Sequence, residues 1–277
     1  MEWIVVAIVL VLMAIYLFLV FPALRRHPDR VLMKGMYVAH RGLHSEKAGI
    51  PENSLKAYAV AKELGFCIEI DIHLTKDGQV VVFHDDTTSR VCGVDKKVEQ
   101  CTLAELKEMR LSGTEEPIPT LGEVLSLVEG AVPLLIEFKV VGNNCKALCA
   151  AADRILSQYK GKYMVQSFYP PVLCWYRRHR KEICRGQLAT DFSKKKGNSF
   201  EKWLSGWMLF NFLGRPDFVS YDHRYARSFG RCMCASLGAM NVGWTLRSEE
   251  ELAVAKASFS TYIFENFLPE KPYDDLK

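Results

Sequence analysis

Extended apolar segments and helix-like segments take turns along almost the whole of this 277-residue chain, and that alternation restricts the fold more than any other feature. Extended runs occur at Met36–His40, Phe66–His73, Val80–His84, Val132–Lys139, Tyr163–Phe168, Arg185–Ala189, Phe218–Tyr221, Val242–Leu246 and Tyr262–Phe264. Between many of them apolar residues return at every third or fourth position, over Ser54–Leu64, Thr102–Met109, Thr120–Val128, Cys145–Tyr159 and Ser248–Ser258. That is the helical period. Strands separated by helices pair in parallel, and roughly eight such units close into an α/β (β/α)8 TIM barrel. Nine extended runs leave one over. Thr75-Lys76-Asp77-Gly78 is too short for a helical crossover, so the irregular strand is expected there, after a tight turn. Asn53-Ser54 and Thr120, preceded by Pro51 and Pro119, stand where helix N-caps belong.

Trp3 to Leu24 carries no charged side chain. A helix of that length, rising about 1.5 Å per residue, matches a hydrocarbon core of roughly 30 Å. The chain therefore divides into a transmembrane anchor (1–24), a linker (25–34) and a barrel domain (35–277). A cleaved signal would need a basic start and a small-residue cleavage site, and this segment starts Met1-Glu2. Arg25, Arg26 and Arg30 follow the span, which by the positive-inside rule puts the barrel on the cytoplasmic side of a single-pass membrane protein. The nine cysteines show no paired zinc spacing and fit a reducing compartment; Cys145 with Cys149 and Cys232 with Cys234 read as small core residues before metal ligands. A net charge of +4 without a basic run interleaved with aromatics argues against nucleic acid as a partner. Ser199–Leu213, with Trp203 and Trp207, is too short to span and has two readings: a second contact with the lipid bilayer, or an outer-ring helix of the barrel.

The chemistry concentrates in Cys67-Ile68-Glu69-Ile70-Asp71-Ile72-His73. An extended chain points both carboxylates to one side and the three isoleucines to the other. Two acids on a strand apolar enough to be buried repel each other and lose hydration, and a divalent cation held by oxygen ligands would offset that cost. His40, His84, Glu137 and Lys139 fall at the C-terminal ends of other strands, the end that holds the active site in barrels. Two histidines, three acids, Lys139 and Arg41 converging there suit metal-assisted attack on a phosphate ester. Cation and lysine would stabilise developing negative charge while the histidines move protons. Trp244 has two readings, core packing or a wall of the substrate pocket, and Asn53 is a helix cap, a site residue or both.

At these positions the chain resembles the glycerophosphodiester phosphodiesterase family, within the phospholipase C-like phosphodiesterase barrels. His40-Arg41-Gly42, Pro51-Glu52-Asn53-Ser54, Glu69-Ile70-Asp71, Thr75-Lys76-Asp77-Gly78, Val82-Phe83-His84-Asp85, Pro119-Thr120-Leu121 and Glu137-Phe138-Lys139 follow the family's motif order, with weaker matches at Gln166-Ser167-Phe168 and Gly243-Trp244-Thr245-Leu246. The resemblance implies a hydrolase that releases an alcohol and leaves glycerol 3-phosphate. It implies Glu69, Asp71 and Glu137 as ligands of Mg²⁺ or Ca²⁺, His40 and His84 as the acid/base pair, and Arg41 and Lys139 on the phosphate. The chain departs from the pattern at Arg247, where the family has Asn, and at Phe264-Glu265, where it has Thr-Asp. Both departures are expected to affect head-group and glycerol recognition. The rival readings are a lysophospholipase D-like or phospholipase C-like enzyme acting on a lysophospholipid, and a catalytically inactive, membrane-tethered binding barrel.

Overall fold

Each strand of the barrel separates two sets of side chains, and a period of two in the sequence sorts them. The computed structural model describes residues 2–24, 27–191 and 200–270. Its strands are β1 (Tyr37–Ala39), β2 (Cys67–Leu74), β3 (Val80–Val82), β4 (Leu134–Phe138), β5 (Tyr163–Ser167), β6 (Arg185–Ala189), β7 (Phe218–Asp222), β8 (Met240–Leu246) and β9 (Thr261–Phe264). Its helices are α1 (Glu2–Val20), α2 (Arg30–Met33), α3 (Leu55–Glu63), α4 (Ser89–Cys92), α5 (Leu103–Lys107), α6 (Leu121–Val128), α7 (Cys145–Leu156), α8 (Pro170–His179), α9 (Phe200–Gly206), α10 (Asn211–Gly214), α11 (Phe229–Ser236) and α12 (Glu249–Ala255). Parallel pairing runs β1-β2-β4-β5-β6-β7-β8-β9 and closes from β9 back to β1. The remaining strand, β3, lies antiparallel on β2 with Ile72 opposite Val82, across the Thr75–Gly78 turn. This is the TIM barrel that the alternation predicts, with its irregular strand at the short turn.

Ile68, Ile70, Ile72, Leu134, Ile136 and Phe138 point outward into the large apolar cluster shared with the helices. Val38, Cys67, Leu135, Met164, Phe218 and Val242 point inward and fill the barrel's N-terminal half. Gly186 makes room for this plug, because a Cβ there would stand 1.9 Å from the Phe218 ring. Glu69 and Glu137 each come two residues after an inward apolar residue, Cys67 and Leu135. They therefore also face inward, one layer closer to the C-terminal mouth.

Ser54 and Thr120 cap α3 and α6, the latter through a reciprocal capping box with Glu123, and Thr102 forms the same box with Glu105 on α5. α1 stops at Val20, short of the end of the uncharged segment, because Pro22 has no N–H and disfavours helical backbone at Phe21. The chain then runs beneath the N-terminal mouth of the barrel. The Ala23 N–H donates to the Pro216 carbonyl at 2.9 Å, and Arg30 donates to the Gly238 carbonyl. Met33 is fully buried in the inner cluster, and its carbonyl accepts from Thr261 Oγ1 at 2.7 Å. The stretch expected to be a single interfacial or outer-ring segment is divided between α9 and α10, with a break at Met208 (φ 61°). Met208 and Asn211 are buried against the barrel while Trp203 and Trp207 are exposed. Ser199 and the Phe200 side chain from that segment, Arg25 and Arg26 from the linker, and residues 271–277 of the expected domain lie outside the described residues.

The turn after β1 depends on one glycine. Gly42 has φ +81°, and an added Cβ would lie 2.8 Å from Ala57 Cβ. Gly35 has a similar φ of +82° with nothing within 4 Å of that position. Gly35→Ala should then cost about 1–2 kcal/mol for the left-handed backbone alone. Gly42→Ala should cost roughly 1–3 kcal/mol more for the overlap, and the two midpoints in urea unfolding measure the difference.

Candidate active site

Strand ends bring the charged residues together at the C-terminal mouth. In the sheet register Asp71 lies beside Glu137, and with Glu69 two residues earlier the three carboxylates place ligand atoms within 4.8 Å of one another. All three are buried. Lys139 Nζ stands 3.0 Å from Asp71 Oδ1 and 2.5 Å from Glu137 Oε1. Asn53 is not the helix cap. It has φ 52°, donates from Nδ2 to Asp71 Oδ2 at 3.0 Å, and accepts from the Tyr58 hydroxyl at 2.6 Å.

Arg41, at the turn after β1, holds the acids from behind. Its backbone N–H donates to Glu69 Oε2 at 3.0 Å, its Nη1 donates to Glu52 at 2.8 Å, and its Nε lies 3.5 Å from Asp71 Oδ2. The guanidinium expected on phosphate thus faces Glu52 and Asp71, and Arg41 lines a neighbouring groove instead of the central cavity. Glu52 also accepts from Arg90, which bonds Asp85, which pairs with His84 Nδ1 at 2.6 Å. One run of ion pairs therefore links Asp71 to His84 through Arg41, Glu52, Arg90 and Asp85.

The central cavity, about 80 Å³, has a polar and an apolar half. His40, Glu69, His84, Glu137 and Lys139 line one side, from β1, β2, β4 and the segment after β3. Phe168, Leu188, Trp244 and Ile263 line the other, from β6, β8, β9 and the end of β5. Trp244 meets Phe168 edge to face at 5.6 Å and also packs on the inner apolar cluster, so both of its readings hold in part. All the expected site residues except Arg41 and Asp71 reach the cavity wall, and these two lie directly behind it.

Charge in the cluster is not balanced by the side chains alone. Burial, then the neighbouring Asp71 and Glu137, push Glu69 well above the usual carboxylate range. Burial also raises Glu137, against the pull of Lys139. Asp71 goes the other way in spite of its burial, because Lys139, His84 and Arg41 hold it ionised. Asp71 Oδ1, although close to Lys139, makes no hydrogen bond. A set of buried carboxylate oxygens short of positive charge, with an unused lone pair, fits a hard divalent cation. Among the described residues it is the group of three potential ligands that converges in this way, and the nine cysteines are free thiols outside it.

Two partners of the histidines escaped the sequence reading. His40 Nδ1 lies 2.5 Å from Glu265 Oε2, whose other oxygen is 2.8 Å from Arg247 Nη2. The two positions that depart from the family pattern thus touch each other, and Glu265 of the two holds His40. The departures themselves were the available signal. Asp85, next to His84, needed only its adjacency to be noticed.

The chain belongs to the glycerophosphoryl diester phosphodiesterase family, whose model matches residues 40–256. It is 40% identical over 105 residues to a glycerophosphodiester phosphodiesterase of Caldanaerobacter subterraneus subsp. tengcongensis, covering 35% of this chain and 41% of that protein. It is 30% identical over 162 residues to the lysophospholipase D GDPD1 of Rattus norvegicus, covering 54% of this chain and 49% of that one. The chain thus spans about half, or less, of the length of these curated relatives. In fold it is similar to a phosphodiesterase of Oleispira antarctica solved in complex with the product sn-glycerol-3-phosphate, with TM-score 0.69 at 23% identity over 85% of this chain and 94% of that one.

Burial raises the Glu265 carboxyl, but the hydrogen bond and charge of His40, with Arg247 and Arg41, outweigh it and hold the group at about 2. An unfolded glutamate titrates near 4.3, so between these values the unfolded chain binds the extra proton. The pair's contribution is therefore present above about pH 4.3 and lost as pH falls towards 2. Glu265→Gln should lower the melting temperature most above about pH 5, with the gap from the parent closing in acid. Melting curves of both proteins between these limits test it, since acid protonates the three-carboxylate cluster in both alike.

Proposed function

We propose that the chain is a membrane-anchored, metal-dependent phosphodiester hydrolase that cleaves glycerophosphodiesters to an alcohol and glycerol 3-phosphate. The carrying observation is the shared cavity: two histidines, each with its own carboxylate partner, line it together with the buried acids. Glu69, Asp71 and Glu137 would hold Mg²⁺ or Ca²⁺, which when bound supplies a Lewis acid for the phosphoryl oxygens and the positive charge the cluster lacks. Lys139 sits at the cavity wall to meet a phosphate oxygen, and Arg41 serves by holding Glu69 and Asp71 in place.

His84 is the proton acceptor of the pair. Burial, with Lys139 and Arg41, pushes it down to about 4, so it is neutral at neutral pH. It takes the proton of the attacking oxygen, either a water or a substrate hydroxyl whose cyclic phosphate water then opens, as the new oxygen–phosphorus bond forms. Burial lowers His40 too, against the hydrogen bond and charge of Glu265. In its protonated form, with Nδ1–H on Glu265, it gives the Nε2 proton to the departing alkoxide as the old bond breaks. Phe168, Leu188 and Trp244 exclude water from the side of the cavity opposite the acids.

Helix α1 acts as the anchor, and Arg25, Arg26 and Arg30 after it favour a cytoplasmic barrel. His84→Ala should lower kcat for glycerophosphoethanolamine by roughly 10²- to 10⁴-fold with little change in stability. The parent rate should fall as pH drops through about 4, where His84 becomes protonated. Glu69→Gln should move the Mg²⁺ or Ca²⁺ activation curve to higher concentration, and EDTA should abolish turnover. A His84→Ala enzyme within a few-fold of the parent, or an unmoved metal titration for Glu69→Gln, would remove that residue from its role.

A further inference from the structure

The direction in which α1 lies on the barrel decides which face of the barrel meets the bilayer. α11 follows β7, so it starts at the C-terminal mouth and runs toward the opposite end. Tyr16 of α1 packs on Phe229, the first residue of α11, with ring centroids 5.7 Å apart. Four residues later the Val20 carbonyl accepts from Cys234 Sγ, further along α11, and from Asn211 Nδ2. The Phe18 and Phe21 carbonyls accept from Arg215, and Arg215 and Pro216 lie just before β7, below the N-terminal mouth. α1 and α11 are thus parallel neighbours. Everything before Tyr16 extends past the C-terminal mouth, where the cavity opens.

That extension is apolar and uncovered: Trp3 is 85% exposed, and Ile4, Leu10, Leu12 and Ile15 are each at least half exposed. From Glu2 to Tyr16 it measures only about 21 Å at 1.5 Å per residue, against a hydrocarbon core of roughly 30 Å. For α1 to cross, the part docked on α11 must enter the apolar layer, and the barrel rim beside it must follow by roughly 5–10 Å. The rim there is built for that depth. Trp203, Trp207 and Phe229 are all exposed, and their rings form a continuous line with Tyr16 through contacts of 5.5, 5.7 and 5.7 Å. Tryptophan and tyrosine favour the interface between headgroups and acyl chains.

We infer that the barrel docks mouth-first on the lipid bilayer through α1 and the Trp203–Trp207–Phe229 rim, and takes a membrane-resident, single-chain glycerophosphodiester directly from the interface. The inference rests on the proposed diesterase activity for its substrate and on the α1 contacts for its geometry. The two halves of the cavity agree with it. Leu188 lies on β6 and Trp244 on β8, on the flank that carries α9, α10 and α11, while the carboxylates on β2 and β4 and the histidines just after β1 and β3 lie across the cavity. A lipid entering from the α1 side keeps its hydrocarbon over Phe168, Leu188 and Trp244 as its phosphodiester reaches the acids.

The full chain in proteoliposomes tests this in two independent readouts. Tryptophan fluorescence should be quenched by lipids brominated near the headgroup end of the acyl chain, and Trp203→Ser/Trp207→Ser should lose much of that quenching. The same variant should cleave bilayer-resident lysophosphatidylethanolamine at least about tenfold more slowly. Its turnover of glycerophosphoethanolamine in solution should be unchanged, which also reports a folded barrel. Equal quenching in parent and variant would overturn the docking, and a detergent-stable dimer alongside it would assign the face to a second copy of the chain. Equal slowing on both substrates, or unchanged turnover of the lysolipid, would overturn the substrate assignment. Absence of turnover by the parent on either substrate would strike the diesterase reading and this substrate with it, while the quenching still decides the docking.

Discussion

Three carboxylates within 4.8 Å of one another in the interior of a barrel form the constraint to which the rest of the site is fitted. Desolvating one carboxylate costs several kcal/mol, and gathering three multiplies the cost through mutual repulsion. The chain meets it in layers. Lys139 sits against Asp71 and Glu137, the Arg41 backbone N–H against Glu69, and Asn53 against Asp71. Each device fixes a segment of chain: the Gly42 turn aims the Arg41 N–H, and Tyr58 on α3 locks the Asn53 amide. The motifs scattered between residues 40 and 139 are one solution to a single electrostatic problem. The cluster still lacks positive charge, as the raised Glu69 and Glu137 record.

The strands were legible because burial on both faces demands apolar runs of a set length, and the irregular β3 because a four-residue turn cannot hold a helix. The inward direction of Glu69 and Asp71 followed from the isoleucines between them. What periodicity does not carry is partnership across long stretches of chain. Glu265 is 225 residues from His40, and only closure of β9 on β1 brings them together. Arg41 illustrates the same limit. Its position in a motif is visible, but whether the guanidinium faces substrate or scaffold depends on Glu52 and Arg90, which the fold brings within 3 Å.

Arg247 and Glu265 carry a second lesson. Taken singly, each reads as a loss from the family pattern. In the structure they form an ion pair with His40 at its end, so Glu265 reaches the imidazole, and His40 with Arg247 keeps that carboxyl ionised.

The segment between α1 and β1 fixes how α1 sits on the barrel. A flexible linker of about ten residues would let a tethered domain sample many orientations, with a root-mean-square reach near 17 Å. Here the chain is bound under the N-terminal mouth by Ala23, Arg30 and Met33, and the end of α1 is held by Asn211, Cys234 and Arg215. Tyr16 completes the seat at the opposite end of α11. Contacts at both ends of that helix leave α1 little freedom to swing, so whatever surrounds its exposed apolar length fixes the barrel's orientation as well as its location. The same apolar plug that closes the N-terminal half of the barrel receives Met33, so the core that supports the carboxylates from below also holds the segment that follows α1.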